Sequence, residues 1–77
     1  MNYEELDTVV LVRDLPKQSL RAGDLGTIVA VSEPDTFDVE FVTASGRTTA
    51  LVPLTRSDVR PLSDSDVLAV RSIPRSA

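Results

Sequence analysis

The sequence predicts an all-β fold, a small SH3-like barrel of five to six strands with at most one short 3-10 turn. Apolar and polar residues alternate with a period of two along most of the chain, which is typical of half-buried strands. Turn-forming residues separate these stretches at short intervals, and no amphipathic stretch is long enough for an ordinary helix. With 77 residues, the chain has room for a single small core.

The first two strands are predicted at residues 8–13 and 26–31, which are rich in valine, isoleucine and threonine. The connector between them is too long for a tight hairpin and contains Pro16 and Gly23. After it, a turn around Pro34 leads to the third strand.

The third strand, residues 37–42, has the clearest pattern in the chain. One of its faces carries the apolar side chains of Phe37, Val39 and Phe41. Asp38 and Glu40 fall on the opposite face. This pattern predicts an antiparallel strand with one face in the core and the other in solvent.

The fourth strand, residues 48–54, follows a hairpin loop in which Gly46 can take a positive φ. Residues 55–58 predict one turn of 3-10 helix, because Thr55 can cap it. A short fifth strand at 59–62 completes a meander whose closure into a barrel would remove the exposed edges.

These elements place the barrel and a short N-terminal lead in residues 1–62 and a tail in residues 63–77. Within the tail, the apolar residues 67–70 are either an added strand or the start of a short helix capped by Ser65. Valine at both ends of this stretch favours the strand.

The alternation also predicts which side chains form the core: Val9, Leu11, Val29, Val31, Phe37, Val39, Phe41, Ala50, Val52 and Leu54. Leu15 and Leu20 are expected to hold the long first connector against the barrel.

The composition excludes several classes of chemistry. Without cysteine or histidine, the chain has no ordinary zinc, haem or iron–sulfur ligands, no thiol nucleophile and no disulfide. We therefore expect no enzyme activity and no cofactor. No apolar run approaches the roughly 20 residues of a membrane span, and the N-terminus is acidic where a signal peptide is basic. A cytoplasmic protein is the simplest expectation.

Charge is distributed unevenly along a chain whose net charge is −4. Residues 1–40 contain nine acids and three bases, a balance of −6, whereas residues 41–77 contain three acids and five arginines, a balance of +2. The folded protein is expected to present an acidic side and a weaker basic side.

The most informative motif is Gly23-Asp24-Leu25-Gly26-Thr27, in which two glycines enter a strand. Glycine there permits a sharp turn and a close approach of neighbouring strands. The motif is similar to one in SH3-like barrels, including ribosomal KOW modules and the β-subunit domain of nitrile hydratase.

A fuller pattern resembles a bacterial family catalogued as domain of unknown function 4926. The residues that carry the resemblance are Leu6-Asp7-Thr8-Val9-Val10-Leu11, Asp14-Leu15-Pro16, Leu20, the glycine motif, Phe37, Val39-Glu40-Phe41, Gly46-Arg47-Thr48, Ala50 and Arg60-Pro61-Leu62. The resemblance covers residues 6–62, and the tail around residues 66–71 is similar to a segment that many members carry. Ser19 departs from the pattern, because members often have glycine there.

The resemblance implies an SH3-like fold without a catalytic motif, in proteins that are partners of toxin-type proteins. With the acidic N-terminal half, it suggests an antitoxin or immunity-type module that neutralises a basic protein partner. The candidate binding residues are acidic: Asp14, Asp24, Glu33, Asp35, Asp38 and Glu40. Asp38 and Glu40 are the strongest of these, because alternation fixes them on one face. Each of these residues also has a plain interpretation as a solvent-facing carboxylate or a turn former.

Two other functions remain open at this point. A KOW-like adaptor for nucleic acid or ribonucleoprotein would use Arg47, Arg56, Arg60, Arg71 and Arg75. The negative net charge and the scarcity of aromatic residues for base stacking argue against it. A stabilising accessory subunit of a larger complex would dock its tail by strand addition.

Overall fold

Five antiparallel strands form a single sheet in the part of the chain that the computed structural model describes, residues 2–32 and 34–73. The strands are β1 (Thr8–Leu11), β2 (Leu25–Ser32), β3 (Thr36–Val42), β4 (Thr48–Thr55) and β5 (Val59–Pro61). Their order across the sheet is β4-β3-β2-β1-β5, so β1 lies between β2 and β5. The predicted all-β fold is confirmed.

Two 3-10 turns lie between the strands in this part of the chain, whereas at most one was predicted. The expected turn, Arg56–Asp58, precedes β5. The additional turn, Pro16–Gln18, begins with a proline whose ring fixes φ near the value a helical turn requires. It ends at Ser19, whose φ of 59° is in the left-handed region.

The sheet is not closed on itself, and within the described residues β4 and β5 are its edges. Pro53 lies in β4 and has no N–H to offer. Two residues further on, on the same side of the strand, the N–H of Thr55 donates to Asp58 Oδ2 at 2.8 Å. At these two positions the edge of β4 therefore offers no free donor for the addition of another strand.

The hydrophobic core covers one face of the sheet, here called the inner face. Its buried residues are Val9, Leu11, Leu15, Leu20, Ile28, Phe37, Val39, Phe41, Val52, Leu54 and Val59, with Ala50 partly buried against them. Leu15 and Leu20 hold the first connector against the sheet, as predicted. Tyr3 extends the core at one end, where its ring meets that of Phe37 edge to face at a centroid distance of 5.1 Å.

The predicted burial of Val29 and Val31 is wrong, because these side chains are 38% and 47% exposed. Ile28 is buried instead and lies opposite Val39. The ladder between β2 and β3 shifts between Ile28 and Ala30, so Val29 is an extra residue in a β-bulge. The bulge interrupts the period of two, so Val29 does not alternate with Ile28. Val31 lies opposite Phe37 but one residue before the end of β2, where its side chain is exposed.

Gly26 explains why β2 adopts this register. It lies opposite Val9 on the inner face, and a Cβ atom there would come within 2.5 Å of Val39 Cγ1 and 2.9 Å of Phe41 Cε2. Only glycine fits this close approach. Gly23, three residues earlier, has a φ of 98° and turns the chain into the strand.

Residues 62–73 form neither a strand nor a helix, in contrast to the strand expected at 67–70. They are nevertheless attached at two points, which we call the anchors of the tail. Arg60 pairs with Asp66 at 2.9 Å, and Arg71 pairs with Asp24, a residue 47 positions earlier in the sequence. Between the anchors, the tail borders a groove whose other wall includes Val10, Leu25 and Leu51.

In the described ranges, no helix has the length and apolarity to cross a membrane.

Candidate partner-binding surface

The outer face of the sheet, opposite the core, carries two acidic side chains from the middle of β3. Asp38 lies between Ala30 of β2 and Pro53 of β4 in the strand register. Glu40 lies between Thr27 and Leu51 in the next row of the same face. Directly opposed residues in antiparallel strands share a face. The predicted orientation of Asp38 and Glu40 away from Phe37, Val39 and Phe41 is therefore confirmed.

Neither carboxylate takes part in the ion pairs of the described residues, which use Asp24, Asp35, Asp58 and Asp66. Glu40 Oε2 accepts a hydrogen bond from Thr48 Oγ1 at 2.5 Å, which orients it without neutralising it. Asp38 and Glu40 therefore present two negative charges to solvent at the centre of the face.

Apolar side chains lie beside these charges. Leu51, opposite Glu40, is 60% exposed, and Val42 at the end of β3 is 52% exposed. Pro53, opposite Asp38, is also exposed. This side of the sheet thus combines fixed negative charge with exposed apolar side chains from β4 and the end of β3, which can supply electrostatic attraction and apolar contact to a partner. We refer to Asp38, Glu40, Val42, Leu51 and Pro53 as the acidic face.

The exposed Leu51 was not singled out from the sequence, although a signal for it exists. Alternation assigns Ala50, Val52 and Leu54 to the core, which leaves Leu51 on the outer face. A leucine directed outward from a β-strand is the kind of residue that serves as an apolar contact in an interface.

Two of the other predicted binding residues organise the connector before β2. Asp14 Oδ1 accepts the N–H of Ala22 at 2.9 Å. Asp24 accepts the N–H of Arg21 at 2.8 Å and two hydrogen bonds from Arg71, one of them from Nε at 2.9 Å. Partial burial raises the pKa of Asp24, but the hydrogen bonds from Arg71 and Arg21 outweigh it and hold the pKa below its ordinary value.

Asp35 forms an ion pair with Arg56 at 3.2 Å, and the same guanidinium lies 5.2 Å from the centre of the Tyr3 ring. This cation–π contact links the turn before β3 to the N-terminal lead. Glu33, the remaining predicted residue, lies outside the described residues. Asp38 and Glu40 are thus the two candidates that share one open face.

The arginines considered for nucleic-acid binding are mostly engaged in contacts with carboxylates. Arg56 pairs with Asp35, Arg60 with Asp66, and Arg71 with Asp24. Arg47 lies in the exposed hairpin between β3 and β4, and Arg75 lies outside the described residues. Guanidinium groups held by carboxylates are poorly placed to contact phosphates.

No group of three or more carboxylates within the described residues is arranged to hold a metal ion. Asp14 and Asp24, the two loop aspartates, bond instead to backbone N–H groups and to Arg71.

A family model described as "Domain of unknown function (DUF4926)" matches residues 5–61. The match covers most of the chain, and the chain therefore belongs to this family, as its motifs indicated. No curated protein and no solved structure matches the chain.

Proposed function

We propose that this protein is a non-catalytic binding module of the antitoxin or immunity type, which neutralises a basic protein partner through the acidic face. Its scaffold on this proposal is SH3-like, and the strand order and the 3-10 turn before β5 support that part of the proposal, although the sheet itself is not closed. The proposed site of action is the cytoplasm, where a disulfide-free fold is at no disadvantage.

The observation that carries the proposal is the pair of uncompensated carboxylates on the outer face of β3. Asp38 and Glu40 are fixed by a rigid strand and bordered by the exposed Leu51 and Val42. Arg56, Arg60 and Arg71 are paired with Asp35, Asp66 and Asp24, so these three arginines do not neutralise Asp38 and Glu40.

Such a face suits a protein whose own binding site is cationic. Two carboxylates at fixed positions can occupy sites that would otherwise hold phosphates, and complementary charge accelerates association. Leu51 and Val42 would supply apolar contact that bare charge lacks. Inhibition then needs no catalysis, because the bound module covers the partner's site.

The experiment is an affinity capture from the native cytosol with mass spectrometry of the retained proteins. Three baits are compared: the wild-type protein, the Asp38→Lys/Glu40→Lys variant, and a Glu4→Lys/Glu5→Lys control. The control changes net charge by the same amount at two exposed positions away from the acidic face. Circular dichroism verifies that all three baits are folded.

We expect one basic protein to be retained in stoichiometric amount by the wild type and the control but not by the Asp38→Lys/Glu40→Lys bait. The purified partner should lose its activity when the wild-type protein is added. Equal capture by all three baits would refute the role of the acidic face. Retention of RNA or ribosomal proteins that wash off in salt would favour the adaptor, and loss of capture only after deletion of residues 63–77 would favour the accessory subunit.

A further inference from the structure

Val10 is buried although it lies on the outer face of the sheet, away from the core. Its neighbours in β1, Val9 and Leu11, belong to the core, so alternation directs Val10 to the other side. Other apolar side chains of the outer face are open to solvent, since Leu25 is 38% exposed and Leu51 is 60% exposed, whereas Val10 is only 4% exposed. Val10 must therefore have a cover that these residues lack.

The two anchors of the tail lie on either side of Val10. The first anchor joins Asp66 to Arg60, and Arg60 is the residue of β5 directly opposite Val10. The second anchor joins Arg71 to Asp24, and Asp24 immediately precedes the residue of β2 directly opposite Val10. The tail therefore crosses β1 at Val10, and the tail and Val10 line the same groove.

The length of chain between the anchors is sufficient for this crossing. From β5 across β1 to β2 the distance is two strand separations, or about 10 Å. The chain from residue 66 to residue 71 runs without a turn or bend, and five extended steps span up to about 17 Å. We call residues 66–71 the strap.

Little besides the anchors holds the strap against the sheet. Within the described residues, its last backbone–backbone hydrogen bond is the one from Asp66 N to Ser63 O, at 3.1 Å. The side chains of Val67, Leu68 and Val70 are 91%, 65% and 100% exposed, so they add little packing. The attachment of the strap is therefore mainly ionic.

Both anchors are charge-assisted hydrogen bonds at partly exposed positions. Asp66 accepts two hydrogen bonds from Arg60, at 2.9 and 3.0 Å. Arg71 donates to Asp24 through Nε at 2.9 Å and to Ser19 O at 3.0 Å. Breaking such contacts costs much less free energy than unfolding a domain, so the strap can open by itself.

We propose that the strap is a displaceable cover, which opens and closes over Val10 while the five strands remain folded. When it opens, Val10 and Leu25 form a continuous apolar row on the outer face. This row adjoins the acidic face, because Leu25 is two residues from Thr27, which lies opposite Glu40. The strap thereby controls how much apolar surface a partner can reach beside the acidic face. That consequence rests on the proposed function, whereas the opening itself does not.

The chain has no cysteine, so a single introduced thiol reports the opening. Val10→Cys is labelled with a water-soluble thiol reagent under native conditions, with and without Arg71→Met, which removes the charge of the second anchor. Val9→Cys, completely buried on the inner face, is the control for wider unfolding. Arg13→Met is the matched control for the loss of an arginine, since its ion pair with Asp58 does not involve the tail.

We expect Val10→Cys to react slowly and to react about tenfold faster or more when Arg71→Met is added. The labelling of Val9→Cys should accelerate far less, and Arg13→Met should leave the rate at Val10→Cys nearly unchanged. Loss of a positive charge disfavours the reactive thiolate, so faster labelling at Val10→Cys cannot arise from the charge change itself.

Three results would each overturn the proposal. Labelling of Val10→Cys as fast as that of Gln18→Cys, an exposed reference, would show that the strap does not cover it. An unchanged rate with Arg71→Met would show that this anchor does not hold the strap. Equal acceleration of Val9→Cys and Val10→Cys would show that β1 unfolds as a whole.

A second probe leaves the sheet unaltered. Ile73 is partly buried just beyond the strap, so the labelling of Ile73→Cys should also accelerate with Arg71→Met, and an unchanged rate would count against the strap. Circular dichroism verifies that each variant is folded. None of these measurements uses the basic partner of the proposed function, so the two proposals fail independently.

Discussion

Replacing Gly26 with alanine tests the packing on which the whole sheet register depends. The new Cβ would lie 2.5 Å from Val39 Cγ1 and 2.9 Å from Phe41 Cε2. Carbon atoms in contact are normally separated by about 3.5–4.0 Å, so the overlap with Val39 is about 1 Å or more. Val39 is completely buried in β3, between β2 and β4, so its side chain cannot turn away into solvent.

The expected loss in unfolding free energy for Gly26→Ala is about 1–3 kcal/mol, the usual cost of adding a methyl group to a packed core. A domain of this size is stable by only about 4–12 kcal/mol, so the loss is readily measured. Urea unfolding followed by far-UV circular dichroism is the assay, since the chain has no tryptophan.

A double-mutant cycle with Val39→Ala separates steric overlap from other causes. Val39→Ala alone removes two buried methyl groups and should cost about 2 kcal/mol. In the double variant, the new Cβ occupies part of the space that Val39 Cγ1 leaves. The combined loss should therefore be smaller than the sum by about 1 kcal/mol or more. Additive losses, or a Gly26→Ala variant as stable as wild type, would refute the reasoning.

Three further predictions concern stability. Ser19 has a left-handed φ of 59°, which glycine adopts without strain, and Arg71 contacts the carbonyl oxygen of Ser19 rather than its side chain. Ser19→Gly should therefore raise the unfolding free energy by roughly 0.5–1 kcal/mol. A lower urea midpoint for this variant would contradict the prediction. Asp58→Ala removes the acceptor of Thr55 N–H at 2.8 Å and the partner of Arg13 at 2.7 Å, and should cost about 2 kcal/mol, more than Asp58→Asn, which keeps an acceptor. Hydrogen bonds and nearby arginines hold the pKa values of Asp24, Asp58 and Asp66 below the ordinary value, the first two despite partial burial. The unfolded chain therefore binds more protons in acid, and unfolding free energy measured at pH 7, 5 and 3 should be constant at first and fall below about pH 4. A flat profile down to pH 3 would show that these contacts contribute nothing.

The strands were predictable because their causes are local. β-Branched runs, alternation and the turn residues place β1 to β5 within about two residues of their observed ends. The register of β2 was not predictable in this way. Val29 and Val31 satisfy the alternation as well as Ile28 does. Which of these side chains is buried depends on the pairing of Gly26 with Val9 and on the bulge at Val29.

The acidic face and its surroundings likewise combine features that the sequence predicts with features that it does not. Alternation alone placed Asp38 and Glu40 on one surface, since β3 contains no extra residue between them. The contacts of Asp24 and Asp35 were not predictable, because Arg71 and Arg56 are 47 and 21 positions away in the sequence. Val10 is on the outer face and yet only 4% exposed. Its burial was not predictable either, because it depends on β5 and the tail lying beside β1.

The position of β1 between β2 and β5 has a consequence for the order in which the chain folds during synthesis. Val9, Val10 and Leu11 pair on one side with residues of β5 that are made about fifty positions later. A nascent chain can assemble β1 to β4 early, but one side of β1 has no partner until residues 59–61 leave the ribosome. During that interval, an apolar strand with unpaired hydrogen-bonding groups is exposed to other nascent chains. The last residues of the sheet thus do more than complete it, because they end the period in which this protein is most prone to misassociate.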